Sequence, residues 1–261
     1  MSGPDYPALL ADLRAEEDAL DRVVADLDPT AWASATPAAG WDIRDSVAHL
    51  AGSEDLARTA LHDPAAFLAR RDEVLAAPDG DALLGQGRGM PAPAVLAWWR
   101  AARADLAADL ARLGPRDRIG WFAGPMSATS FATARLMETW AHGQDVRDAL
   151  DRPPEVSARL RHIADLGVRT RPFSYRVRGL EPPPGEVRVE LAGPDGAQWT
   201  WGPSEVPDRV RGPALDFCLV VTQRRHPADE ALVTTGPRAA EWIDLAQAFA
   251  GPPTGQRAPT R

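Results

Sequence analysis

Apolar residues recur at helical spacing through most of the first half of the chain. In residues 6–27 they return every three or four positions, which is typical of a helix with one buried face. The same period predicts helices over residues 42–61, 95–113 and 127–150, with a glycine- and proline-rich loop over residues 78–93. Four long helices joined by loops indicate an antiparallel helical bundle.

The second of these helices carries a start signal in its first turn. Asp42 follows Gly40 and Trp41 and has a side chain suited to cap a helix N-terminus. Asp45 adds a second acid where the helix dipole favours negative charge. These positions place His49 in the middle of the helix.

The spacing of apolar residues changes in the second half of the chain. Glu186 to Leu191 alternates apolar and charged residues, and the turn at Pro194-Asp195-Gly196 leads to a return strand. Strands and helices then mix, which predicts a small α+β domain. Its predicted elements are helices at 156–168, 213–225 and 237–249 and strands at 186–191, 198–201 and 231–235. We therefore predict a bundle over residues 1–152, an α+β domain over residues 153–252 and a flexible tail over residues 253–261.

Composition narrows the classes of function. The 261 residues carry a net charge of −8 and include no lysine, which disfavours a nucleic-acid partner and excludes a Schiff-base or P-loop lysine. The one cysteine, Cys218, excludes disulfide staples and cysteine-rich zinc sites, and its apolar surroundings indicate core packing. No apolar run approaches the roughly 20 residues that span a bilayer, so we expect no membrane partner and a cytoplasmic protein.

One set of side chains points to metal chemistry. Glu138 and His142 are four residues apart, so they stack on one face of their helix among small and apolar neighbours. A carboxylate and an imidazole on a buried face are costly unless they are paired or bind a metal. His49 of another helix would complete a three-ligand set, which leaves a coordination position free as in catalytic zinc sites. Asp45 and Asp145 are rival ligands by the same spacing.

Spacing alone also permits a plain structural interpretation. A glutamate and a histidine four residues apart occur often on helices as a hydrogen-bonded pair without a metal. Three ligands from two helices define no tight motif, so this pattern by itself leaves both interpretations open.

Three stretches carry a resemblance to a known family. Residues 40–50 (GWDIRDSVAHL) and 134–146 (ARLMETWAHGQDV) resemble the mycothiol-dependent maleylpyruvate isomerase family within the DinB-like superfamily, and residues 215–225 (LDFCLVVTQRR) are similar to that family's accessory domain. The resemblance implies a DinB-like four-helix bundle followed by a sterol-carrier-like α+β domain. It also implies the metal triad His49, Glu138 and His142.

The resemblance further implies residues that bind the reactants. In the family an arginine of the C-terminal domain helps to bind thiol or substrate, and Arg224 and Arg225 both lie in the matching stretch. A guanidinium suits a carboxylate, which it can hold through two hydrogen bonds. Arg88, in a glycine-rich segment, is a weaker candidate for binding the thiol.

Together these features predict an enzyme that depends on a divalent metal, with Zn²⁺ expected, and on a low-molecular-weight thiol, with mycothiol implied. It would act as an isomerase or transferase on a small electrophilic substrate, as a monomer or homodimer. The alternative is a metal-containing protein that binds or carries a small ligand without turnover. A metal-sensing regulator ranks lowest, because no basic recognition helix is evident.

Overall fold

The chain folds into two units, the first spanning Met1–Glu155 and the second Val156–Arg261. The first unit is mostly helical. The computed structural model describes residues 5–76, 85–122, 124–251, 253 and 256–259. The helices of the first unit are, in chain order, α1 (Tyr6–Val24), α2 (Pro29–Trp32), α3 (Ile43–His62), α4 (Pro64–Ala76), α5 (Gly85–Arg88), α6 (Ala92–Leu110) and α7 (Ala128–Ala149). A two-stranded antiparallel ribbon, β1 (Arg118–Ile119) and β2 (Met126–Ser127), precedes α7.

Four of these helices, α1, α3, α6 and α7, are long and form the bundle. The main packing pairs are α3 with α6 and α1 with α7, and α3 also packs on α7. Trp99 and Leu50 are fully buried in a core that α1, α3, α6 and α7 all enter. The predicted four-helix bundle is confirmed. None of the helices in the described residues is long and apolar enough to cross a membrane.

Helix α7 is the most enclosed of the four. Every residue from Thr139 to Val146 is buried, so this part of the helix has no solvent-facing stripe. Such a helix lies at the centre of its unit rather than on its surface. Polar residues on α7 therefore lie in an interior where they need partners.

The start of α3 is held by a capping box. The Asp42 carboxylate accepts a hydrogen bond from the Asp45 backbone N–H at 2.8 Å, and the Asp45 carboxylate accepts one from the Asp42 N–H at 3.3 Å. Both bonds satisfy donors that the first helical turn leaves free. The predicted cap at Asp42 is confirmed.

We expect Asp42→Ala to lower the free energy of unfolding by about 1 kcal/mol, because it removes the cap of α3. Urea denaturation of the variant and the unmodified protein measures the difference. Asp42→Asn is the control: its amide oxygen still accepts the Asp45 N–H, so most of the stability should return. Equal losses in both variants would contradict the role of the cap.

The second unit is an α+β domain, as predicted. Its elements are α8 (Leu160–Arg169), α9 (Arg171–Arg176), β3 (Arg188–Ala192), β4 (Gln198–Trp201), β5 (Arg209–Pro213), α10 (Ala214–Val221), β6 (Val233–Thr235) and α11 (Pro237–Leu245). The sheet has the strand order β4-β3-β5-β6, in which β3 and β5 run parallel and the other neighbours antiparallel. Phe217 and Trp242 meet edge to face in the core at 5.9 Å.

Several predicted boundaries differ from the structure. Part of the predicted loop 78–93 is helical, at Gly85–Arg88 and from Ala92 onward, while residues 77–84 lie outside the described part. The sequence pattern also missed α4, which buries only Phe67 of its 13 residues and so has little apolar periodicity. The helix predicted at 213–225 is shorter at both ends. It begins at Ala214, because Pro213 belongs to β5, and it ends at Val221, shortly before Gln223 adopts a left-handed backbone conformation, φ 58°.

Candidate metal centre

Two imidazoles and a carboxylate converge where α3 meets α7. One ligand-type atom each of His49, Glu138 and His142 lies within 4.8 Å of the other two. The His142 Nε2 to Glu138 Oε2 distance is 3.6 Å, near the roughly 3.4 Å expected between two ligands of a tetrahedral Zn²⁺ at ordinary bond lengths. Their chemistry, two imidazole nitrogens and one carboxylate oxygen, suits a divalent metal of the Zn²⁺ type.

Helix geometry and packing both produce this convergence. Glu138 and His142 are one turn apart on α7, as the sequence spacing predicts. His49 comes from the middle of α3, and its ring centroid is 4.7 Å from that of His142. His142 is buried, while His49 and Glu138 are partly exposed. The group is therefore anchored in the bundle and still accessible to a small molecule.

The carboxylate of this group is held in its ionised form. Burial acts to raise the pKa of Glu138, but the adjacent His142 and the charges of Arg135 and His49 lower it to about 2. An ionised carboxylate is the form that binds a metal, so no proton competes for Glu138 near neutral pH.

Trp41 covers the two histidines. Its ring stacks on His142, with centroids 5.7 Å apart and planes inclined by 14°, and its centroid is 5.2 Å from that of His49. Trp41 immediately precedes the capping residue Asp42, so the capped start of α3 also places this indole. The sequence pattern offered no signal for this contact.

The two rival acids lie outside the converging group. Asp145 Oδ2 is 3.6 Å from Nδ1 of His142, on the opposite side of the ring from Glu138. Asp145 therefore faces the ring nitrogen that points away from Glu138 and does not join the three converging ligand atoms. Asp45 accepts the Asp42 backbone N–H and lies 3.5 Å from Arg88 Nε.

Arg88 contacts α3 one turn before His49, through its ion pair with Asp45. The short helix α5 that carries it packs on α3 so tightly that a Cβ at Gly87 would collide with Ala48 Cβ. The glycine-rich segment thus holds Arg88 near the same end of α3. That Arg88 binds a thiol remains a prediction.

Arg224 and Arg225 belong to the second unit and follow the end of α10. The Arg224 guanidinium donates to the Thr222 carbonyl, and that of Arg225 donates to the Arg224 carbonyl, each at 2.8 Å. Both side chains are half-buried. Cys218, in α10, is fully buried, and burial raises the pKa of its thiol, which agrees with core packing.

A buried ionic cluster adjoins the triad, and sequence reasoning missed it. Arg135 Nη2 donates to Glu54 Oε1 at 3.1 Å, with the two side chains 4% and 0% exposed. Glu17 of α1 is also buried, and burial, followed by the charge of Glu54, raises its pKa to about 8. A sign was present in the sequence: Arg135 is three residues before Glu138, close to the buried face of the same helix.

A cavity of about 160 Å³ opens beside α3, one turn after His49. Trp98 forms part of its wall and donates its indole N–H to Asp55 Oδ2 at 2.7 Å. The other residues that line it are Gly52, Leu56, Thr59, Arg70 and Gln86. The lining combines polar side chains with Leu56 and Trp98.

Comparisons with known proteins agree with this architecture. Residues 13–147, more than half of the chain, match the family model described as the mycothiol maleylpyruvate isomerase N-terminal domain. Residues 183–235, from just before β3 to the end of β6, match a second family model, described as wyosine base formation.

Two full-length relatives come from Mycobacterium tuberculosis. They are the uncharacterized proteins MT0041 and Rv0036c, from two strains, and each is 46% identical to this chain over 252 residues. The match covers 95% of this chain and 98% of each relative.

Two solved structures share the fold: the mycothiol-dependent maleylpyruvate isomerase and a histidine-to-alanine mutant of it. Each superposes with a TM-score of 0.60 at 16% identity, covering 91% of this chain and 98% of the other.

Proposed function

The chain belongs to the family of the mycothiol maleylpyruvate isomerase N-terminal domain, and from that premise we propose that it is a metal- and thiol-dependent enzyme. The thiol is mycothiol, and the substrate is a small electrophile that is isomerised or conjugated. The observation that carries the proposal is the convergence of His49, Glu138 and His142 at a partly exposed position of the bundle.

In this proposal the three side chains hold a divalent metal, with Zn²⁺ expected. When bound there, a divalent metal would supply Lewis-acid chemistry that favours the thiolate form of a thiol near neutral pH. The Asp145 carboxylate lies 3.6 Å from His142 Nδ1 and would favour a positive charge on that ring, and the Trp41 ring packs against both imidazoles. Arg88, which pairs with Asp45 one turn before His49, is proposed to bind the thiol.

The electrophile is proposed to carry a carboxylate that Arg224 or Arg225 holds. A guanidinium binds a carboxylate through two parallel hydrogen bonds, which fixes its orientation. In an isomerisation the thiolate sulfur bonds to an electrophilic carbon of a double bond conjugated to a carbonyl, and the π electron pair moves to the carbonyl oxygen as an enolate. The resulting single bond rotates, and the enolate then expels the thiolate and restores the double bond. In a transfer reaction the carbon–sulfur bond is kept, and the enolate carbon takes up the proton that the thiol released.

A turnover assay tests the proposal. We expect the purified full chain to contain close to one equivalent of divalent metal and to isomerise maleylpyruvate, or conjugate another small electrophile, only when thiol is present. Because the thiol supplies the nucleophile, its omission should reduce the rate to the uncatalysed level. A metal-free protein, or no thiol-dependent turnover with any electrophile, would refute the proposal.

The non-catalytic alternative has one supporting observation. A cavity of about 260 Å³ in the second unit has an apolar lining that includes Leu232 and Ile243, with His226 and Asp244 among its polar residues. A carrier protein would keep its ligand affinity after His49→Ala, whereas the proposed enzyme would lose its activity and its metal together.

A further inference from the structure

The indole of Trp41 bridges two of the three converging side chains. Its ring stacks on His142 with centroids 5.7 Å apart and planes inclined by 14°. It also lies against His49, with centroids 5.2 Å apart and planes inclined by 47°. Both separations are typical of aromatic rings in contact. Because His49 belongs to α3 and His142 to α7, one ring contacts an imidazole from each of the two helices.

The backbone around Trp41 holds the indole in this place. The Trp41 carbonyl accepts hydrogen bonds from the backbone N–H and the hydroxyl of Thr36, at 2.8 and 3.1 Å. The Trp41 N–H donates to the Ala38 carbonyl at 3.0 Å, which closes a turn in which Gly40 adopts φ 78°. The ring is only partly exposed and packs against the apolar core of the bundle. Trp41 is therefore fixed both by its backbone and by its ring.

The planes of the two imidazoles need contacts of this kind. Rotation of a histidine ring about its last side-chain bond has broad, roughly two-fold preferences, so the side chain alone leaves the direction of the ring nitrogens loosely defined. Packing or hydrogen bonds must therefore fix the rings of a ligand set. The Asp145 carboxylate, 3.6 Å from His142 Nδ1, exceeds the usual length of a hydrogen bond and constrains the ring weakly, whereas the Trp41 indole lies flat against it.

An indole face also suits a ring that binds a cation. An imidazole that shares electrons with a metal ion gains positive character, and the electron-rich face of tryptophan attracts positive charge more strongly than the other aromatic side chains do. The stacked arrangement presents that face to His142. The contact between Trp41 and His142 should thus become more favourable when the site is filled.

We propose that Trp41 is a positioning residue of the metal site: it sets the planes of His49 and His142 so that their nitrogens converge with the Glu138 carboxylate. The inference rests on the proposed metal site and adds to it a residue that does not touch the metal. Outer-shell partners act by fixing the orientation of a ligand, and losing one costs about 10- to 100-fold in metal affinity.

Metal titration of Trp41 variants tests this role. We expect Trp41→Leu, in the full chain, to weaken Zn²⁺ binding by about 10- to 100-fold and to change the visible absorption spectrum of the Co²⁺-loaded protein, because the imidazole planes turn. Trp41→Phe keeps a flat ring, so it should restore most of the affinity. Thr36→Val removes the hydroxyl that donates to the Trp41 carbonyl, so it should cause a smaller loss in the same direction. It decides the matter if Trp41→Leu does not fold.

Trp121→Leu is the matched control. Trp121 is a partly exposed indole of the same unit that also contacts two rings: it stacks on Phe67 at 6.0 Å and meets Phe131 edge to face at 5.0 Å. Its loss should lower the melting temperature while leaving Zn²⁺ affinity and the Co²⁺ spectrum unchanged.

The same pattern in Trp41→Leu, or tighter Zn²⁺ binding, would overturn the positioning role while the metal site itself stands. Equal losses of affinity in Trp41→Leu and Trp41→Phe would also overturn it, because a flat ring at this position would then not be what the site needs. An unmodified protein that binds no Zn²⁺ would refute both the positioning role and the metal site.

Discussion

Glu138→Gln is expected to reduce the affinity of the protein for Zn²⁺ on the order of 10³-fold. The amide removes the one negative charge among the three ligands and is a poor donor to a divalent cation. His49→Ala and His142→Ala should have effects of similar size, because each leaves two protein ligands. Elemental analysis of the purified proteins and calorimetric titration of Zn²⁺ into the metal-free forms measure the change.

His62→Ala is the matched control for the histidine variants. His62 lies at the end of α3, the helix that carries His49. It is largely exposed and contacts Asp109 at 2.8 Å, outside the converging group. It should keep its full metal content. A Glu138→Gln protein that still binds one equivalent of Zn²⁺ as tightly as the unmodified protein would show that the three side chains converge without forming a metal site.

Glu17→Gln is expected to stabilise the protein against unfolding at pH 8 and above by roughly 3 to 5 kcal/mol. The pKa of Glu17 is raised from 4.5 to about 8 by burial and by the charge of Glu54. Between these values the folded protein keeps a proton that the unfolded chain releases. The free energy of unfolding therefore falls as pH rises from about 4.5 to about 8, and this loss persists at higher pH.

Urea denaturation from pH 5 to 9, with a chelator present, measures this effect as the difference between variant and unmodified protein. Glutamine has no proton to lose, so the difference should grow with pH and level off above about pH 8. Asp26→Asn, which removes an exposed carboxylate just beyond α1, is the matched control and should leave the free energy of unfolding nearly unchanged. A pH-independent difference for Glu17→Gln would mean that its carboxyl group titrates normally in the folded protein.

The long helices could be predicted from the sequence because their signals are local. Apolar spacing marks the buried face of α1, and Asp42 and Ser127 cap α3 and α7 as their side-chain chemistry favours. The elements that were missed lack such signals. Helix α4 buries one residue, and β5 has strand character through its pairing with β3 and β6 rather than through its own alternation.

The sequence by itself determined that Glu138 and His142 share one face of a helix, because an α-helix has 3.6 residues per turn. It also determined that His49 lies within another helix, because the cap at Asp42 marks where that helix begins. Spacing left Asp45 and Asp145 as rival ligands, and the resemblance to the family singled out the three. Only the tertiary structure decided which groups converge: α3 packs on α7 in a register that brings His49 to His142, turns Asp45 to its cap and leaves Asp145 behind the ring. That packing also joins Arg135 to Glu54, 81 residues apart, and no short-range pattern encodes a contact of that separation.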